Sequence, residues 1–209
     1  MDHYSYKTLK CESAAEFTER KSVFIGRVKP VYDEKSALDF IGKVRAEHAG
    51  ANHNAYAYII REGNITRFSD DGEPSGTAGM PVLNVLQKQG LANAAAVVTR
   101  YFGGIMLGAG GLVRAYSHAA KLGVESAGTA VFESFTEFDV TCPYADYEKL
   151  LKFIKSERII VDGTVFEENV TLRLAVRHDN FERVSEEIVN LTNAKSDINK
   201  RSERFDFIN

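Results

Sequence analysis

The chain has 209 residues, 44% apolar and 26% charged, with 26 Lys and Arg against 29 Asp and Glu for a formal net charge of -3. That length allows one large domain or two small ones with real cores, and no apolar run approaches the ~20 residues of a bilayer span, so disordered and membrane-spanning classes are excluded. The N-terminal residues lack the pattern of a secretory signal, and Cys11 and Cys142 stand far apart without a CxxC partner, so a cytoplasmic chain with reduced thiols and no metal or cofactor is expected.

In chain order, residues 17–31 are rich in β-branched and aromatic residues and predict a strand or bent strand pair ending at Pro30. Asp33 predicts a cap for a helix whose Ala37, Leu38, Ile41 and Val44 follow helical spacing, closing near Gly50. Residues 55–60 predict a strand, followed by a turn at 62–64 and a short strand through 65–68. Residues 69–79 are too polar and glycine-rich for a regular element. Pro81 suits the first turn of a helix running to Gln89, with Gly90 as its stop. Residues 94–102 predict a buried strand, 103–111 a glycine loop, and about 112–127 a helix. From residue 131 the order becomes strand, helix, two strands, helix, strand over 131–141, 144–156, 159–166, 170–177, 179–192 and 197–207. That βαββαβ order predicts a ferredoxin-like domain over 131–209, after a first domain over 1–130.

The charge is unevenly placed. Residues 1–132 hold 15 Lys and Arg against 13 Asp and Glu, and residues 133–209 hold 11 against 16. From Pro74 to Val124 there is no carboxylate, yet the segment carries Lys88, Arg100, Arg114, Lys121 and 9 of the 16 glycines. Backbone N–H groups and guanidinium groups can there meet an anion unopposed. Within it, a strand delivers Arg100 and Tyr101 to Gly103, Gly104, Gly108, Gly110 and Gly111, followed by a helix with Arg114 in its first turn. This is an anion-binding loop or a tight strand-to-helix turn whose arginines pair with structural carboxylates; neither GxxxxGK[ST] nor GxGxxG is present. In the polar segment that follows Arg67, the carboxylates of Asp70, Asp71 and Glu73 beside the hydroxyls of Ser69, Ser75 and Thr77 offer groups for a divalent ion or a general base, or for turns and caps; Arg67 is counted with them as a possible polar site. His53, with Asn54, is a structural histidine or a ligand-contacting one; His48, five residues away, is not at metal-ligand spacing. Lys21 reads as a solvated lysine beside a core Phe24.

The strings Arg67–Pro81 and Val97–Tyr116 resemble the signature of the YigZ/IMPACT family, and Lys21-Ser22 and His53-Asn54 match its weaker blocks. The resemblance extends over the whole chain. It implies an α+β protein of two domains, the first with the fold of the second domain of a small-subunit ribosomal protein, the second like the last domain of elongation factor G. Eukaryotic relatives regulate translation under amino-acid starvation. The leading expectation is a non-catalytic cytosolic protein that binds RNA, the ribosome or a translation-related partner through Arg100, Tyr101 and Arg114, with Lys88 and Lys121 at the periphery. The alternatives are an acidic protein partner on the same patch, or an enzyme acting on a small phosphorylated or anionic substrate with Asp70, Asp71, Glu73 and His53 as metal or base groups.

Overall fold

The computed structural model describes residues 4–207. The chain divides into two compact units, one formed by Tyr6–Val131 and the other by the described residues from Phe132 onward together with Tyr4 and Ser5. Among the described residues no helix is long and apolar enough to cross a membrane.

The larger unit is built on an antiparallel sheet of five strands in the order β2 (Ser13–Glu19), β3 (Ser22–Pro30), β6 (Ala94–Tyr101), β4 (His53–Ile60), β5 (Ile65–Ser69). The central strand, AAAVVTRY, is buried from Ala94 to Arg100 because helices cover both faces of the sheet. Ala94, Ala96 and Val98 meet α2 (Gly79–Lys88) and α3 (Gly108–Ala127), while Ala95 and Val97 meet α1 (Glu34–Glu47) with Phe40, Ile41 and Val44. Helix α1 begins in a capping box: the Asp33 carboxylate accepts the Ser36 N–H at 2.6 Å and the Ser36 hydroxyl oxygen accepts the Asp33 N–H at 3.2 Å.

The helix expected from about residue 112 instead starts at Gly108, so Gly108, Gly110 and Gly111 lie in its first turn rather than in a loop. Intrinsic propensity argues against helix there, but α3 is fixed by packing on β2, β3 and α2 through Leu112, Ala115, Tyr116 and Ala119. A strand also forms where none was expected, β1 (Ser5–Leu9).

The second unit contains β7 (Thr129–Cys142) from Phe132 onward, α4 (Tyr144–Ser156), β8 (Ile160–Phe166), β9 (Val170–Arg177), α5 (Phe181–Leu191) and β10 (Asp197–Phe207). β7 pairs with β9 on one side and β10 on the other, β8 flanks β9, and β1 also joins β7. Phe138, Val140, Leu172 and Leu174 pack with Leu150, Ile154, Val184 and Ile188 in a core of their own.

Candidate functional site

The register of the central sheet sets His53 opposite Arg100 and Asn54 opposite Thr99. The polar segment after β5 folds back over these residues and inserts Glu73, whose side chain is only 4% exposed. The Glu73 carboxylate accepts hydrogen bonds from Arg100 Nη1 at 2.7 Å and from the Tyr116 hydroxyl at 2.8 Å, and His53 Nε2 lies 3.9 Å from the same oxygen. Burial, then the negative charge of Glu73, raises the Tyr116 hydroxyl well above its usual value, so it stays a donor. The Arg100 guanidinium lies 5.5 Å from the Phe24 ring centre and 5.3 Å from that of Phe102. A buried cation flanked by two rings and paired with a buried carboxylate is fixed in place.

The remaining acids are also held by the protein. Asp70 accepts the N–H groups of Gly76, Ala78 and Gly79 at 2.8, 3.0 and 2.8 Å, capping α2 from eight residues upstream where Ala78 offers no side-chain acceptor. Burial alone raises the Asp70 carboxyl, but the three N–H groups together outweigh it and hold it below its usual value of 3.8. Asp71 accepts from Arg45 Nη2 at 2.5 Å and from the Asn54 N–H at 2.7 Å, while its backbone carbonyl accepts from His53 Nδ1 at 2.8 Å. Thr77 donates to the Pro74 carbonyl, and the Thr99 hydroxyl donates to the Asn54 side chain. Arg67 is exposed on β5. The three carboxylates thus turn to three different sets of partners. Among the described residues no group of three His, Cys, Asp or Glu side chains is placed to hold a metal ion.

The expected cationic patch is divided. Arg100 is buried and Tyr101, as its neighbour on a strand, points to the opposite face, where its hydroxyl meets His48 Nδ1 at 2.9 Å. Neither belongs to an open surface with Arg114, which corrects their assignment as a joint phosphate contact. Lys88, Arg114 and Lys121 do come together: they line a groove of about 390 Å³ between α2 and α3 with Val85, Val113 and His118. All three cations are exposed; Lys121 pairs with Glu125 at 3.6 Å, and no ion pair is formed by Lys88 or Arg114 among the described residues. Gly103 is where the glycine loop requires glycine: a Cβ there would lie 2.0 Å from the Lys21 carbonyl, and its N–H donates to the Ser22 hydroxyl at 3.1 Å. Gly104 and Gly108 have φ of +82° and +68°. Gly110 and Gly111 sit in the first turn of α3 near Arg114 and Leu107.

Two partners of the cluster escaped the sequence. Tyr116 lies within the second signature string but reads as an apolar helix position, and Arg45 lies on α1, 26 residues from Asp71, where no local pattern links them.

A family model described as the Impact N-terminal domain matches residues 20–124, and one described as a domain of unknown function (DUF1949) matches residues 140–195. The chain is 39% identical over 196 residues to IMPACT family member YvyE of Bacillus subtilis, covering 93% of this chain and 90% of that protein. It is 34% identical over 95 residues to Protein IMPACT of Homo sapiens, 44% of this chain and 30% of that one. A solved structure described as the crystal structure of an hypothetical protein aligns with a TM-score of 0.62 at 28% identity, over 95% of this chain and 98% of the other. The Glu73 cluster and the groove lined by Lys88, Arg114 and Lys121 both fall within the segment matched by the first family model.

Proposed function

The chain belongs to the IMPACT family, and we propose that it serves translation as a non-catalytic cytoplasmic protein that binds RNA, on its own or in the ribosome, through the outer faces of α2 and α3. The observation that carries this reading is the gathering of Lys88, Arg114 and Lys121 around one exposed groove within a stretch of 51 positions free of carboxylates. Phosphates neutralise such cations and release counterions, which gives affinity without requiring a basic protein overall.

The translational assignment draws on the resemblance of the signature strings to regulators of translation. It also draws on the domain forms that resemblance implies, a ribosomal-protein-like fold over 1–130 and an elongation-factor-like fold over 131–209. The strand and helix order of β7 to β10 supports the second of these. Arg100 serves here as the internal partner of Glu73 rather than as a ligand contact. The enzymatic alternative has less support, because Asp70, Asp71 and Glu73 do not converge on a common point.

Crosslinking and pull-down from cytosol, with and without nuclease, tests the reading. Wild type is expected to recover RNA or ribosomal particles in a nuclease-sensitive manner, and a Lys88→Gln, Arg114→Gln, Lys121→Gln variant to lose most of that recovery. Capture of a single protein that resists nuclease would instead assign the groove to an acidic protein partner.

A further inference from the structure

The turn between β2 and β3 is built against local preference. Register pairs Glu19 with Ser22, leaving Arg20 and Lys21 as a two-residue connection, and both have positive φ, +45° and +66°. A connection of this kind favours Asn-Gly because side chains crowd the backbone there. Two long cations occupy it instead, and the surroundings hold them in place: Gly103 packs on the Lys21 backbone with no room for a Cβ, its N–H binds Ser22, and Arg20 Nη1 reaches the Met106 carbonyl at 3.5 Å. Backbone strain retained by a close-packed clamp is a feature of functional sites.

The clamped turn borders a cavity. Arg20 lines a recess of about 250 Å³ beside the first three turns of α3, together with Phe17, Glu19, Gly111, Arg114 and His118. Arg20 and Arg114 are exposed guanidinium groups on different elements, and the His118 ring meets the Phe17 ring edge-on at 4.7 Å along one wall. Glu19 is the one carboxylate of the lining, and its contact with Arg20 is long, 4.0 Å, with both side chains about half exposed. Such a pair is worth little in water, so Arg20 is available to an incoming anion.

We infer that this recess is a phosphate subsite, in which Arg20 and Arg114 take the oxygens of one phosphate group and the exposed His118 ring, set against Phe17, receives the attached nucleoside. Two guanidinium forks from separate elements suit the bidentate recognition of a phosphate. The exposed His118 ring beside them offers a face to a base or sugar, backed by Phe17, which is itself stacked on Phe24. The inference rests on the RNA-binding reading and deepens it, naming the group bound and adding Arg20 and His118. Its chemistry is equally that of a free nucleotide, so the two sources are separated by experiment.

The test is an NMR titration of the intact ¹⁵N-labelled chain with inorganic phosphate, with adenosine 5′-monophosphate and with a short single-stranded RNA. Saturable shifts are expected at the amides of Arg20, Gly111 and Arg114 with all three probes. Tighter binding of RNA than of the mononucleotide identifies RNA as the source, and equal affinity identifies a free nucleotide. Arg20→Gln is expected to weaken the mononucleotide at least fivefold, and Lys152→Gln, an exposed cation on α4 outside both the recess and the groove, to leave it unchanged. Lys21→Gly and Arg20→Gly separate binding from folding: each relieves a positive φ and is expected to raise the melting temperature by a few degrees, yet Arg20→Gly should weaken the mononucleotide as Arg20→Gln does. The inference is overturned if no probe shifts these amides in a saturable way, or if Arg20→Gly binds the mononucleotide as wild type does. If RNA is still bound through Lys88 and Lys121 in that case, the wider reading stands without this subsite; if the subsite binds phosphate but no RNA is retained, the wider reading fails alone.

Discussion

Arg100 and Arg114 are the same residue type in the same signature string, and burial gives them opposite roles. The Arg100 side chain is 7% exposed against a Glu73 that is 4% exposed, and removing either partner leaves a charge in the interior without its counterion. Arg100→Ala and Glu73→Gln are therefore expected to cost about 3–5 kcal/mol each in denaturant unfolding. Arg114→Ala, on the surface, should stay within about 0.5 kcal/mol while weakening RNA binding. Tyr116→Phe removes one donor to Glu73 and should cost about 1–3 kcal/mol. Composition pointed to the carboxylate-free segment that carries Arg100 and Arg114, and the polar segment before it to Glu73 as one of three candidate acids. It could not pair them, because the contact between positions 73 and 100 is made by a loop folding over a strand, at a separation that carries no periodic signal.

At the scale of elements, α3 shows how tertiary packing overrides propensity. Its backbone approaches β3 so closely that a Cβ on Gly26 would lie 2.0 Å from the Ala119 carbonyl oxygen, and one on Gly123 would lie 2.8 Å from the Gly26 carbonyl oxygen. Gly26→Ala must move a helix against a strand and is expected to destabilise by roughly 3 kcal/mol or more. The sequence made the glycine-rich run visible but not its start as a helix, since Gly108, Gly110 and Gly111 help only once Leu112 and Tyr116 are docked. The start of α2 carries a pH dependence. The folded carboxyl of Asp70 lies below its unfolded value, so its contribution is present above pH 3.8 and is lost as pH falls through the lower folded value. Equilibrium unfolding of wild type and Asp70→Asn should show a full stability gap at neutral pH that closes in acid. A gap that persists unchanged in strong acid would contradict capping by the ionised carboxylate. The first turn of α1 was legible from Asp33 alone because a capping box is local; the Asp70 cap, reaching Ala78 and Gly79, was not.

For the molecule as a whole, a net charge of -3 argues against a polyanionic ligand, yet its distribution argues for one. The alternation of the last 75 or so residues revealed the strand and helix order of the second unit, because each element there follows a simple period. In the first unit the central strand and the flanking helices were legible in outline, while the side-chain contacts that bury Arg100 and turn Tyr101 away required the fold. The fold leaves an exposed groove with Lys88, Arg114 and Lys121, separate from a closed internal ion pair. The salt dependence of affinity for single-stranded RNA distinguishes these roles most directly, because every phosphate that a cation neutralises adds about 0.7 to the steepness of log K against log salt. Replacing all three groove cations by glutamine is predicted to weaken binding and make that dependence shallower by about 2. Unchanged affinity and slope in the folded triple variant would contradict the central claim.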